Sequence, residues 1–327
     1  MVEKEKYLPY LSSTSAAVIF GFSFLFTKEA LTGIDPFHLL GLRFGMAAIL
    51  LLVLKAFNVI EVDYKEKNVK RLIPIAFVQP AAYFTFEIFG VKLTTSSEAG
   101  MMIAIIPVIV TILAVVFLKE MPSKIQVLFI GISVSGAVFI IIMKSNEVGS
   151  SVSGLMILLL AVLCASASNI LSRKLSVVFN PLEITFVMMC CGAIFFNGIA
   201  ILQHLIKGDM LYYFEPLLNI KVVSAVLYLG VLSSVLAFFL SHYTLSKIEA
   251  SRSAVFANLS SVVSILAGVL IRHEAFYWYQ MVGAVMILSG VWGTNYFGSK
   301  KVENVYNNDK LYKDDEVAGI IIKNNVK

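Results

Sequence analysis

The sequence predicts an all-α, polytopic membrane bundle of ten transmembrane helices, built as two five-helix repeats of inverted topology. Three observations predict it: an apolar composition, ten apolar stretches of spanning length, and matched positions in the two halves of the chain. Of its 327 residues, 58% are hydrophobic and 14% charged, where soluble domains carry about 45–50% and about 25%. Mean hydropathy is +0.85. Such a chain is not an ordinary soluble enzyme. The net charge of +5 does not mark a nucleic-acid binder, because the basic residues form no stripe.

Crossing about 30 Å of hydrocarbon takes roughly 20 helical residues. Span one, 11–31, follows Lys4 and Lys6 mixed with Glu3 and Glu5 and meets no small-residue cleavage pattern, so it is expected to be retained. Span two, 37–57, follows Asp35-Pro36 and carries Arg43 and Gly41-x-x-x-Gly45. Span three, 72–92, holds Pro74 and Pro80 with Gln79, Tyr83 and Glu87 at helical spacing. Span four, 99–118, has Pro107 at its centre, where a missing N–H bends a helix; this makes Pro107 a candidate gate or kink. Span five, 124–144, carries Gly131-x-x-x-Ser135, and a junction near 145–152 joins the halves. Spans six to ten follow at 153–173, 182–206, 222–243, 251–271 and 276–297, the last with Ser289-x-x-x-Gly293. Small residues at these spacings let helices approach closely. The units expected are 1–147, 148–297 and a disordered cytoplasmic tail, 298–327, rich in Lys, Asp and Asn.

Lys and Arg set orientation. With the N-terminus inside, 19 fall on the inner side and 6 on the outer, Arg43 lying within a span. Both termini are therefore expected in the cytoplasm, which requires an even number of spans. A shift of 154 residues places Glu120 on Glu274, Gln126 on Gln280, Ser135 on Ser289 and Gly136 on Gly290. A shift of 145 places Asp35-Pro36 on Asn180-Pro181 and Lys28 on Arg173. Five is odd, so the second copy enters the membrane upside down, as in many secondary transporters.

The segment from Pro36 to Phe44, the carboxylates Glu120 and Glu274, and the Gly-bearing spans from Gln126 to Gly136 and from Gln280 to Gly290 resemble the EamA-type drug/metabolite transporter family. The resemblance covers residues 10 to 297. It implies ten helices around a central cavity between repeats and export of amino acids or other small metabolites.

Catalytic signatures are absent: there is no G-x-S-x-G, no H-E-x-x-H and no G-x-x-x-x-G-K-[ST]. Cys164, Cys190 and Cys191 have neither disulfide nor metal-ligand spacing. Neither enzymatic activity, cofactor nor metal is expected. The partners expected are a small solute and the lipid bilayer, with the chain acting as a monomer or homodimer. A substrate path near the midplane should show polar residues on one face of each helix. Those residues are Gln79 and Tyr83 in span three, Ser23 and Thr27 in span one, Ser166 and Asn169 in span six, Ser234 in span eight, and Asn258 and Ser261 in span nine. Phe20 and Phe24 could join them. Arg43 and Glu87 lie at one depth, about 10 and 9 Å from the same end at 1.5 Å per residue, and are expected to pair. Glu87 and His242 are candidate proton sites, His242 with Glu183 as its expected neighbour. The reading is a secondary transporter that exports a small neutral or zwitterionic metabolite by alternating access. The alternatives are a sugar-phosphate or nucleotide-sugar antiporter, or a structural or regulatory membrane protein.

Overall fold

The structure, a computed structural model, describes residues 2–118, 123–145, 152–248 and 256–290, with 250, 253, 292, 293, 296 and 297. Glu120, Pro122, most of the junction and the tail from 298 lie outside the described residues. The described chain is helical: α1 Val2–Ala30, α2 Pro36–Ala56, α3 Val69–Leu93, α4 Ser96–Phe117, α5 Lys124–Ser145, α6 Val152–Leu175, α7 Pro181–Lys207, α8 Ile220–Lys247, α9 Ala257–Ile271 and α10, described over 278–290. The first eight are long and apolar enough to cross a membrane. Large apolar side chains such as Ile49, Phe77, Ile194, Ile206 and Val285 face outward, an arrangement suited to lipid rather than water.

Local chemistry sets the helix starts. Asn180 accepts from the Glu183 N–H at 2.8 Å while Glu183 accepts from Asn180 at 3.0 Å, a reciprocal cap that pins the first turn of α7. Thr95 with Glu98 does the same for α4, and Ser123 with Gln126 for α5. Pro36 and Pro181 open α2 and α7, positions where a missing N–H is harmless. Pro74 likewise stands in a first turn, after the short turn Val69–Leu72.

Three helices are interrupted inside the bundle. In α3 the segment Phe77–Ala82 widens to a π turn, with Gln79 extended at φ −146° and ψ 116° before Pro80. In α8 a π segment runs over Tyr228–Ala237. Helix α4 breaks between Ile103 and Ile106. Span four is not one unbroken helix, and the bend expected from Pro107 lies just ahead of it. Pro107 stands in the first turn of a second helical segment, where its ring needs no N–H partner, and the bend lies at Ala104 and Ile105.

Packing exchanges the halves. Helix α2 lies on α7, and α4 lies on α9; α3 lies on α6 as α8 lies on α1; α6 lies on α4 as α1 lies on α9. The α5–α10 contact is reciprocal. A Cβ on Gly136 would meet Gly283 and Ile287, and one on Gly290 would meet Phe129 and Ser133, which are the same positions moved by 154. Gly131 has open space around it, so the small residue that brings α5 close to α10 is Gly136 instead.

Candidate functional site

A cavity of about 130 Å³ lies among α1, α2, α3, α4, α6, α8 and α9. Its wall runs from Ser13, Leu245 and Ser253, near the bundle end that carries the N-terminus, to Phe24, Arg43 and Glu87 deep inside. The interrupted helices border it, through Gln79 in α3 and through Ile103 and Ile106 on either side of the α4 break. Breaks of this kind, enclosed by protein, free backbone and side-chain groups to meet a solute at mid-membrane.

Ser23, Gln79, Tyr83 and Asn169 line the cavity, as do Arg43, Glu87, His242, Phe20 and Phe24. Thr27, Ser166, Ser234, Asn258 and Ser261 are not part of its wall. Ser166 donates to its own helix at Val162 O, 2.7 Å away, the habit of a helical hydroxyl. Ser261 packs where α9 meets Gly100 of α4, and Thr27 is fully buried. Serines that depth alone does not single out complete the wall: Ser13, Ser168, Ser172, Ser241 and Ser260. The signal was present in their spacing, since Ser168 and Ser172, and Ser253, Phe256 and Ser260, recur on single helical faces. Ser13, Ser172 and Ser241 lie toward the N-terminal end, whereas Ser168 and Ser260 stand at the depth of their neighbours Asn169 and Ser261.

The expected ion pair is corrected. Arg43 donates from Nε to Ser234 Oγ at 2.8 Å and from Nη2 to Ser233 Oγ at 3.0 Å, and its guanidinium lies 4.3 Å from the centre of the Phe84 ring. No ion pair joins it to Glu87 among the described residues, and Glu87 Oε2 has no hydrogen-bond partner. The π segment of α8 presents two successive serines to Arg43, which takes the place expected of the carboxylate. The expected neighbour of His242 is also corrected: its Nδ1 lies 2.8 Å from Ser172 Oγ. Glu183, its expected neighbour, binds Lys67 at 2.7 Å.

The far end of the bundle is closed by charge. Lys28 donates to the carbonyls of Val91, Lys92 and Thr94 at the end of α3. Glu29 pairs with Lys221 of α8 and with Arg272 after α9. Glu274 accepts from the backbone of Ser96 and Ser97 at 2.9 and 3.0 Å, where a helix N-terminus favours negative charge. At the opposite end Arg173 donates to Leu245 O at 2.7 Å, and Lys28 on Val91 is its counterpart in the other repeat.

A bundle with an apolar outer face, whose broken helices border a polar and aromatic cavity, has the build of a solute transporter. The chain belongs to the EamA-like transporter family, whose model matches residues 8–142 and again 152–296. It is 38% identical to the uncharacterized transporter YcxC of Bacillus subtilis, over 93% of this chain and 97% of that protein. It is 25% identical to the uncharacterized transporter YetK of the same organism, over 89% and 88%. An uncharacterized transporter of Archaeoglobus fulgidus is 24% identical, over 83% and 93%. A solved crystal structure, 16% identical, superposes with a TM-score of 0.64 over 88% of this chain and 97% of its own; that likeness is of fold alone. The chain is a membrane transporter and not an enzyme.

Proposed function

We propose that the protein exports a small neutral or zwitterionic metabolite, such as an amino acid, across the cell membrane by alternating access, with both termini in the cytoplasm. The observation that carries this is the charge of the cavity wall: one Arg and one Glu among amides, hydroxyls and aromatic rings. A phosphorylated substrate would call for unbalanced Lys or Arg at that depth, and Arg43 is balanced by Glu87. Export is supported by the cavity's reach to the N-terminal end, which the distribution of Lys and Arg assigns to the cytoplasm. The charge cluster at the far end supports alternating access, because it closes one side while the other stays lined for entry.

The test is flux in proteoliposomes holding this chain alone, loaded with a panel of labelled amino acids and sugar phosphates. Saturable flux of an amino acid, competed by its unlabelled form, is the expected result. Exchange of a sugar phosphate in its place would overturn the substrate class.

A further inference from the structure

We propose that the cavity binds an α-amino acid with an apolar side chain through both of its charged ends, the ammonium on Glu87 and the carboxylate on the open edge of Arg43. This rests on the reading of the cavity as the substrate chamber and adds the group that meets each end of the solute.

Glu87 is the exception among the buried carboxylates of the described residues. Glu98 accepts from Thr95 and Gln280, Glu183 from Lys67 and Asn180, and Glu274 from Ser96 and Ser97. Glu87 is 2% exposed, makes no hydrogen bond to any described residue, and faces the cavity. A buried carboxylate without a donor is expensive, so a donor is owed to it. Arg43 does not supply one, because its side edge, Nε with Nη2, is taken by Ser234 and Ser233. Those two hydroxyls and the Phe84 ring fix the plane of the guanidinium. Its remaining edge, Nη1 with the second hydrogen of Nη2, has no hydrogen-bond partner among the described residues and is the fork geometry that receives a carboxylate in two parallel bonds.

The two open groups share one cavity without touching. A cationic solute would satisfy Glu87 and leave Arg43 bare, and an anionic one would do the reverse. A zwitterion satisfies both. The wall beside them is aromatic: Phe20 and Phe238 meet edge to face at 5.2 Å, and Phe84 lies 6.0 Å from Phe238. It offers an apolar side chain its partner.

The test uses matched probes on the purified full chain: each apolar proteinogenic amino acid, the acid that lacks its amine, and the amine that lacks its carboxylate. Wild-type protein should bind at least one amino acid roughly tenfold or more tighter than either fragment. Glu87→Gln should weaken that amino acid by roughly tenfold or more and leave the deaminated acid unchanged, whereas Arg43→Lys should weaken both. Should a variant not fold, the wild-type comparison decides: an acid or an amine bound as tightly as the amino acid overturns the two-ended site. Equal loss of acid and amino acid in Glu87→Gln overturns it as well. Amino-acid binding that survives Glu87→Gln removes this assignment while leaving the transport reading intact. Wild-type protein that binds no amino acid but carries another solute removes the substrate class itself.

Discussion

A buried guanidinium held by two hydroxyls and a ring face keeps its full charge while its direction is fixed. Serines share that load cheaply, since each gives up one lone pair and can still donate elsewhere. A double-mutant cycle between Arg43→Leu and Ser234→Ala, read from thermal unfolding in detergent, should give a coupling of about 1–2 kcal/mol. The cycle between Arg43→Leu and Glu87→Leu should give less; a larger coupling there would restore the direct ion pair. Accessibility supplies a second check at this scale. With Cys164, Cys190 and Cys191 replaced by Ser, cysteines placed at Gln79 and Asn169 should react with a polar thiol reagent faster than one at Asn258, which is off the cavity wall. Equal rates at all three would refute the wall as drawn. Gln79, Tyr83 and Glu87 were legible in the sequence because they recur every fourth residue and so share one face of a helix. Thr27, Ser261 and the Arg43 partner were not, because depth fixes a residue's height on a helix and leaves its facing open. The α8 π segment shifts that facing locally, and no proline announces it.

Helix by helix, the matched residues turn out to be the ones that end and pack the elements. Gln126 caps Ser123 at 2.7 Å and Gln280 caps Tyr277 at 2.8 Å. Both pairs are related by 154, so each glutamine marks the start of the fifth helix of its repeat. The starts of α2 and α7 were readable from Pro36 and Pro181, whereas Pro9 lies inside α1. The interior breaks were only half readable: Pro80 and Pro107 pointed to α3 and α4, while the equivalent of Pro80 in α8 is Ser234. The α5–α10 seam gives a sharp contrast. A Cβ at position 290 would stand 2.6 Å from both Phe129 O and Ser133 N, backbone atoms that cannot move aside. Gly290→Ala should cost about 1–3 kcal/mol, whereas Gly131→Ala should cost nothing, having open space and the better helix former. Thermal unfolding of the two variants side by side checks this, and equal melting would show that the seam is looser than described.

For the whole molecule, the family fold was visible in composition, span count and self-similarity, each independent of side-chain facing. What the sequence did not reveal is which end of the bundle stands closed. Glu29 joins Lys221 and Arg272 there, yet the residue matched to it by a shift of 145 is Lys174, which lies over the Phe117 ring at 5.3 Å. The far-end cluster therefore has no mirror image. Its pairs are partly exposed, so each contributes at most about 1 kcal/mol. In Glu29→Gln, a cysteine at Phe24 should become several-fold more reactive toward an impermeant reagent added on the far side. An unchanged rate would mean that the cluster is not what closes that end. Reciprocal packing such as Gly136 on Gly283 and Gly290 on Phe129 makes the bundle with its halves exchanged almost the same object. If access alternates as proposed, the two facings are nearly degenerate, with the bias between them set by the residues that escaped duplication. A few such side chains can tune the resting population, since about 5.5 kcal/mol separates a 1:99 mixture from a 99:1 one. Relatives sharing this scaffold can thus rest facing opposite sides without any change in the helices that carry the solute.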